Sequence, residues 1–170
     1  MSFRITGLDP TPFRELFGLA EGELAARGVK RYVADENPGF PDRVELRDVD
    51  PGENVLLLNY VHLPVDSPYR SSHAIYVREG AERSYDQVGE IPECLRARLI
   101  SLRAFDNAGM MVDADVVEGR KLEELIGKLL AIPEVSFLHA HFARRGCYAA
   151  RIDRVDPEGD PARTSSPSTL

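Results

Sequence analysis

Apolar and polar residues alternate in Phe3-Arg4-Ile5-Thr6, the period-two spacing of a strand whose side chains point to opposite faces. Val29 to Ala34, Val44-Glu45-Leu46 and Ala74 to Arg78 read as further strands. Leu99 to Phe105 and Met110 to Val117 flank the turn-type cluster Asp106-Asn107-Ala108-Gly109, which predicts a hairpin. Val135 to His141 and Cys147 to Val155 are the last two predicted strands, joined through Ala143-Arg144-Arg145-Gly146. Val55 to Val61 breaks the alternation, and a continuous apolar run of that length predicts a strand covered on both faces.

Helical spacing is confined to a few places. Phe13, Leu16 and Phe17 share a face after Asp9-Pro10, where Asp9 can cap and proline suits the first turn. A second short helix runs from about Glu21 to Arg27 and stops at Gly28. Pro92 to Leu95 can begin another. Gly119 to Ala131 carries the clearest stripe, Leu122, Leu125, Ile126, Leu129 and Leu130, and ends before Pro133. Strands outnumber helices, and several are joined by short turns. The expected fold is therefore α+β: one domain over residues 1–155, a mainly antiparallel twisted sheet with one long helix and a short helical corner packed against it. Residues 156–170 hold Pro, Gly, Ser, Thr and charge and read as a disordered tail.

Composition narrows the partners. The chain has 170 residues, 21 basic against 28 acidic, and a net charge of −7, which argues against non-specific binding to nucleic acid. No apolar run approaches the ~20 residues of a membrane span. The opening residues lack the layout of a signal peptide, so a cytoplasmic location is expected. Cys94 and Cys147 are the only cysteines, with no CxxC, which excludes a zinc ribbon or a thioredoxin-like motif. A protein of that compartment does not need a disulfide between them.

Several motifs occur together. They include Phe3-Arg4-Ile5-Thr6-Gly7-Leu8, Pro38-Gly39-Phe40-Pro41, Leu56-Leu57-Leu58-Asn59-Tyr60-Val61-His62, Ser67-Pro68-Tyr69-Arg70, His139-Ala140-His141 and Gly146-Cys147-Tyr148-Ala149. Their order resembles an uncharacterised bacterial family, domain of unknown function 1203, over residues 3 to about 155. That family brings no established activity and no catalytic residue. The resemblance implies that Asp42, where relatives carry cysteine, and His73, where they carry Ser-Gly-Pro across 72–74, are poor candidates for an indispensable role. His62, Arg70, His139, His141 and Cys147 fit its pattern better.

The candidate chemistry centres on His139-Ala140-His141. On a strand, both imidazoles face the same side. With His62 they form a candidate metal set, zinc or iron, although a bound divalent metal is not the favoured reading of an isolated HxH. A second candidate is a pocket for a small anionic molecule, with Asn59, His62, Tyr69 and Arg70 as ligand-binding groups and Arg70 as the anchor. A third makes Cys147 a nucleophile activated by a neighbouring imidazole, so that His139, His141 and Cys147 are the candidate catalytic residues. Asp113 and Asp115 share a strand face but equally describe a wet one. Cys94 reads as core packing. The favoured function is small-anion binding, with enzymatic activity left open. The alternative is a non-catalytic structural or protein-interaction domain.

Overall fold

The computed structural model describes residues 2–155; the expected tail lies outside the described residues. Among the described residues, nine strands form two antiparallel sheets rather than the single sheet expected. The larger is built from β1 (Ser2–Thr6), β5 (Asp86–Val88), β6 (Leu99–Phe105), β7 (Met111–Glu118), β8 (Phe137–Phe142) and β9 (Tyr148–Val155), in the order β5-β1-β9-β8-β6-β7. The smaller holds β2 (Lys30–Val33), β3 (Asn54–Leu63) and β4 (Ser71–Arg78), with β3 in the middle. The α+β class and antiparallel pairing follow the sequence reading. Strand β5 does not, because Asp86–Val88 is a three-residue, exposed edge strand with a single apolar residue and so carries no apolar pattern.

The described residues also hold three α-helices: α1 (Glu21–Ala26), α2 (Glu93–Arg96) and α3 (Leu122–Leu130). The expected long helix is a 3-10 turn, Gly119–Lys121, followed by the nine residues of α3. Its start is held tight because Gly119 packs against the backbone of α2: a Cβ there would lie 1.9 Å from the Leu95 carbonyl oxygen. The five-residue stripe of α3 is buried as expected, against Leu138, Ala140, Ile100, Leu102, Ala150 and Ile152 of the larger sheet. The first helix of the corner is 3-10, Thr11–Leu16, with the Asp9 carboxylate accepting the Thr11 N–H at 2.9 Å. Phe13 and Leu16 pack with Leu24 of α1 on Leu56, Leu58 and Ile75 of the smaller sheet. Among the described residues no helix is long and apolar enough to cross a membrane.

Two expected strand features fail for local reasons. Val44-Glu45-Leu46 is not a strand. The buried Asp42 carboxylate accepts the Glu45 N–H at 2.6 Å and the Arg78 N–H at 2.7 Å, which folds the segment over, and Leu46 takes a positive φ of 50°. This turn bridges the sheets, since Arg43 donates its backbone N–H to Tyr76 of β4 and its guanidinium Nε–H to the Tyr148 carbonyl of β9. Strand β3 is covered on both faces only at its start: Val55, Leu56 and Leu58 are buried, but Asn59 and Val61 are exposed.

Strand β8 fixes the site. All six of its residues are buried. Alternation sends Leu138, Ala140 and Phe142 to the α3 side and Phe137, His139 and His141 to the other. That other face is covered by the end of β3 and by Tyr148.

Candidate functional site

All four histidines converge there. His139 and His141 come from β8, His62 from the end of β3 and His73 from β4. The pairing of β3 with β4 shifts register between Val61 and Leu63, and His62 is the residue at the irregularity. A bulge of this kind re-aims one side chain, and here it carries His62 inward, where it is 8% exposed between exposed Val61 and buried Leu63. Its ring stacks on His73 (4.8 Å between centroids) and on Tyr148 (4.7 Å), and meets His139 and His141 edge-on.

The hydrogen bonds restrict where the protons sit. His141 Nδ1 lies 3.0 Å from the Gly146 carbonyl. A carbonyl only accepts, so Nδ1 carries the proton and donates. His141 Nε2 is then a lone pair, and it is buried with no partner among the described residues. Leaving such a group unsatisfied costs about 1–3 kcal/mol. His62 Nε2 lies 2.7 Å from His73 Nδ1, a good hydrogen bond in which one ring donates to the other. His62 Nδ1 faces His139 Nδ1 at 3.4 Å, too long for a strong bond between rings. One nitrogen from each of His62, His139 and His141 falls within 4.8 Å of the other two.

None of the four histidines makes an ion pair among the described residues, and burial keeps the rings neutral. It lowers His139 to about 2, with His62 and His141 adding to the effect. His141 is lowered to about 3 by burial, against the opposing pull of the Gly146 carbonyl. His62 falls to about 4 through burial, then His73 and Arg103, and His73 is lowered by burial and Arg103. Arg103 is the cation common to all four. It stands across from His139 on β6, half-buried and without an ion pair among the described residues, and burial lowers its own pKa.

The other expected site residues lie elsewhere. Asn59 is exposed and pairs across to Ala74. Tyr69 is 38% exposed, and its ring touches Phe105 at 6.3 Å, one ring removed from His139. Arg70 is exposed and makes no ion pair among the described residues. Of the expected anion pocket only His62 reaches the cluster. The Cys147 thiol meets Arg43, whose guanidinium donates to it at 3.3 Å, rather than an imidazole. An imidazole-activated Cys147 therefore finds no support in the geometry. Asp113 and Asp115 are exposed, and each binds the next backbone N–H. Cys94 is buried, as expected, and its thiol donates to the Leu46 carbonyl.

A family model for proteins of unknown function, DUF1203, matches residues 39–154. The chain belongs to the DUF1203 family. The match takes in all four histidines, Arg103 and Tyr148. It begins after β1, α1 and β2, so it is shorter at the N-terminal end than the motif resemblance. No curated protein and no solved structure gives a match.

Sequence reasoning set His73 aside and passed over Arg103 and Tyr148. The signal for Arg103 was present: Ser101, Arg103 and Phe105 alternate with the apolar Ile100, Leu102 and Ala104 in a strand predicted beside the histidines. His73 is one of only four histidines in a chain that brings all four together.

Proposed function

We propose that this DUF1203 protein is a metal-binding protein in which His62, His139 and His141 hold a divalent transition-metal ion such as zinc. The observation that carries the reading is the buried, partnerless His141 Nε2, which lies in a group of three neutral imidazoles. A metal ion supplies what a protein group does not: a partner for a lone pair in a dry site. The 3.4 Å between His62 Nδ1 and His139 Nδ1 supports this. Bonds of about 2.0–2.1 Å to a tetrahedral ion put neighbouring ligand nitrogens about 3.3 Å apart. Two lone pairs facing at that distance repel unless a proton or a cation lies between them.

The surroundings fit a ligand set that has its orienting partners. His141 Nδ1–H is held by the Gly146 carbonyl, and His62 Nε2–H donates to His73 Nδ1, which frees His62 Nδ1 for the ion. His73 is thus a positioning residue. Three neutral ligands leave a fourth position free, and a net dicationic centre beside Arg103 favours an anion or hydroxide there. The small anionic ligand expected from the sequence then has a place, on the metal and Arg103 rather than on Arg70. Whether a reaction follows is a separate matter from the site.

Elemental analysis of protein purified without chelator tests the reading. About one metal ion per chain is expected, with a rise in melting temperature when zinc is added back to stripped protein, and loss of both in His139→Ala. No stoichiometric metal together with no thermal shift from zinc, cobalt or iron(II) overturns it, and leaves the histidines as a packed polar core.

A further inference from the structure

Beside the 143–147 turn lies a cleft of about 530 Å³ that none of the four histidines lines. Its walls carry four guanidiniums, from Arg43, Arg98, Arg144 and Arg145. Against them stand two carboxylates: Glu36, which lines the cleft, and Asp48, which holds Arg98 at 2.6 Å. Arg144 and Arg145 are exposed and make no ion pair among the described residues. Arg43 is 1% exposed and also lacks an ion pair among them. Its N–H groups go to the Tyr148 and Pro41 carbonyls and to the Cys147 thiol. Its neighbour Asp42 turns its oxygens to backbone N–H groups instead. In a chain of net charge −7, this is a local excess of positive charge built into a concavity. Phe40, Tyr76 and exposed Leu99 add an apolar wall.

We propose that this cleft is a second ligand site, which takes a small organic anion, a carboxylate or phosphate monoester with a flat apolar body. The size is that of pockets for small molecules, about 300–1,000 Å³. Buried Arg43 is fixed in place by two carbonyls, so its charge is pre-organised. Arg144 and Arg145 supply mobile forks that close on the anionic group. The apolar body lies against Phe40 and Leu99. Cys147, half-buried on the cleft wall, is a built-in reporter of what enters.

Alkylation of Cys147, read by mass spectrometry on chelator-treated protein, tests this independently of the histidine site. The thiolate sulfur attacks the methylene carbon of the reagent and expels iodide, with anionic iodoacetate or neutral iodoacetamide as the probe. The rate ratio of iodoacetate to iodoacetamide at Cys147 is expected to exceed that of free cysteine by about tenfold, as clefts of one sign concentrate counter-ions. Phenyl phosphate is expected to protect Cys147 at lower concentration than inorganic phosphate. In R144E/R145E, whose altered residues are exposed and unpaired, the ratio drops to that of free cysteine or below. A ratio in the parent protein equal to that of free cysteine, or one unchanged in R144E/R145E, overturns the site. Equal protection by phenyl phosphate and inorganic phosphate overturns its apolar half.

Discussion

The histidine cluster and the arginine cleft flank the same turn and handle charge in opposite ways. In the cluster, burial removes charge: four imidazoles are neutral and none has an acidic partner among the described residues. In the cleft, charge is kept: burial lowers the Arg43 pKa, but a guanidinium stays ionised at neutral pH, and carbonyls and a thiol take its N–H groups. One region offers lone pairs and the other offers N–H groups, so they select ligands of opposite sign. The backbone between them serves both. The Gly146 carbonyl orients His141, and the Tyr148 carbonyl anchors Arg43 while its ring stacks on His62.

The largest consequence of that contrast is sensitivity to acid. Unfolded imidazoles gain protons near pH 6.5, whereas folded His139 and His141 resist down to about 2 and about 3. Below pH 6.5 the unfolded chain therefore binds more protons, and stability falls as pH falls. For these two rings, which are 2% and 0% exposed, the slope approaches about 2.7 kcal/mol per pH unit below about pH 5.5. Urea unfolding of metal-free protein between pH 7 and pH 4.5 should show this loss. A flat profile would mean that the folded rings take up protons as readily as unfolded imidazole, and the cluster would lose its contrast with the cleft.

Next in size is the Asp48–Arg98 pair, at 2.6 Å with both side chains mostly buried. Asp48→Asn leaves Arg98 without its carboxylate, at an expected cost of about 3 kcal/mol in stability. The same change removes a negative charge from beside the cleft, so anion binding there should strengthen as the fold weakens. Denaturation midpoints and the iodoacetate ratio at Cys147 should thus move in opposite directions. Both falling together would mean that the cleft is only a packing feature.

A smaller effect separates ligand from support within the cluster. His139→Ala removes a proposed ligand and should abolish zinc binding, whereas His73→Ala removes only the partner of His62 Nε2. Losing such a partner weakens metal sites by about 10- to 100-fold. A chelator-competition titration reads the difference. Equal loss in both variants would make His73 a ligand, and no loss in the His73 variant would dissolve its positioning role.

How much of this was legible depends on how local each cause is. The pairing of His139 with His141 on one face follows from strand alternation alone, so sequence sufficed. The α3 stripe and the β6–β7 hairpin were readable for the same reason. The approach of His62 depends on a bulge in a strand that looked uniformly apolar, and no local pattern announces one. Arg43 is the harder case. A buried arginine next to a buried aspartate looks in sequence like a surface pair, yet the two divide, one to backbone N–H groups and the other to carbonyls and a thiol. The division arises because the 40–48 segment bridges two sheets, which is a tertiary fact. Arg70 was misjudged from the opposite direction: the density of polar groups in residues 67–72 suggested a pocket, but Ser67 and Tyr69 are held against Gly109 and Phe105 while Arg70 stays exposed.

Salt gives the smallest and most selective separation. Screening acts on exposed charges, with a Debye length of about 8 Å at 0.15 M and about 3 Å at 1 M. Arg144 and Arg145 are exposed and should lose most of their pull on an anion over that range. Arg43, at 1% exposure, should keep its own. The iodoacetate preference at Cys147 is therefore expected to fall a few-fold between low salt and 1 M sodium chloride without vanishing. Zinc affinity at the cluster should change little, because its ligands are neutral and dry. A preference that disappears entirely would assign the attraction to the two exposed arginines alone. A preference that salt leaves untouched would assign it to Arg43, and the turn residues would then close the cleft sterically rather than by charge.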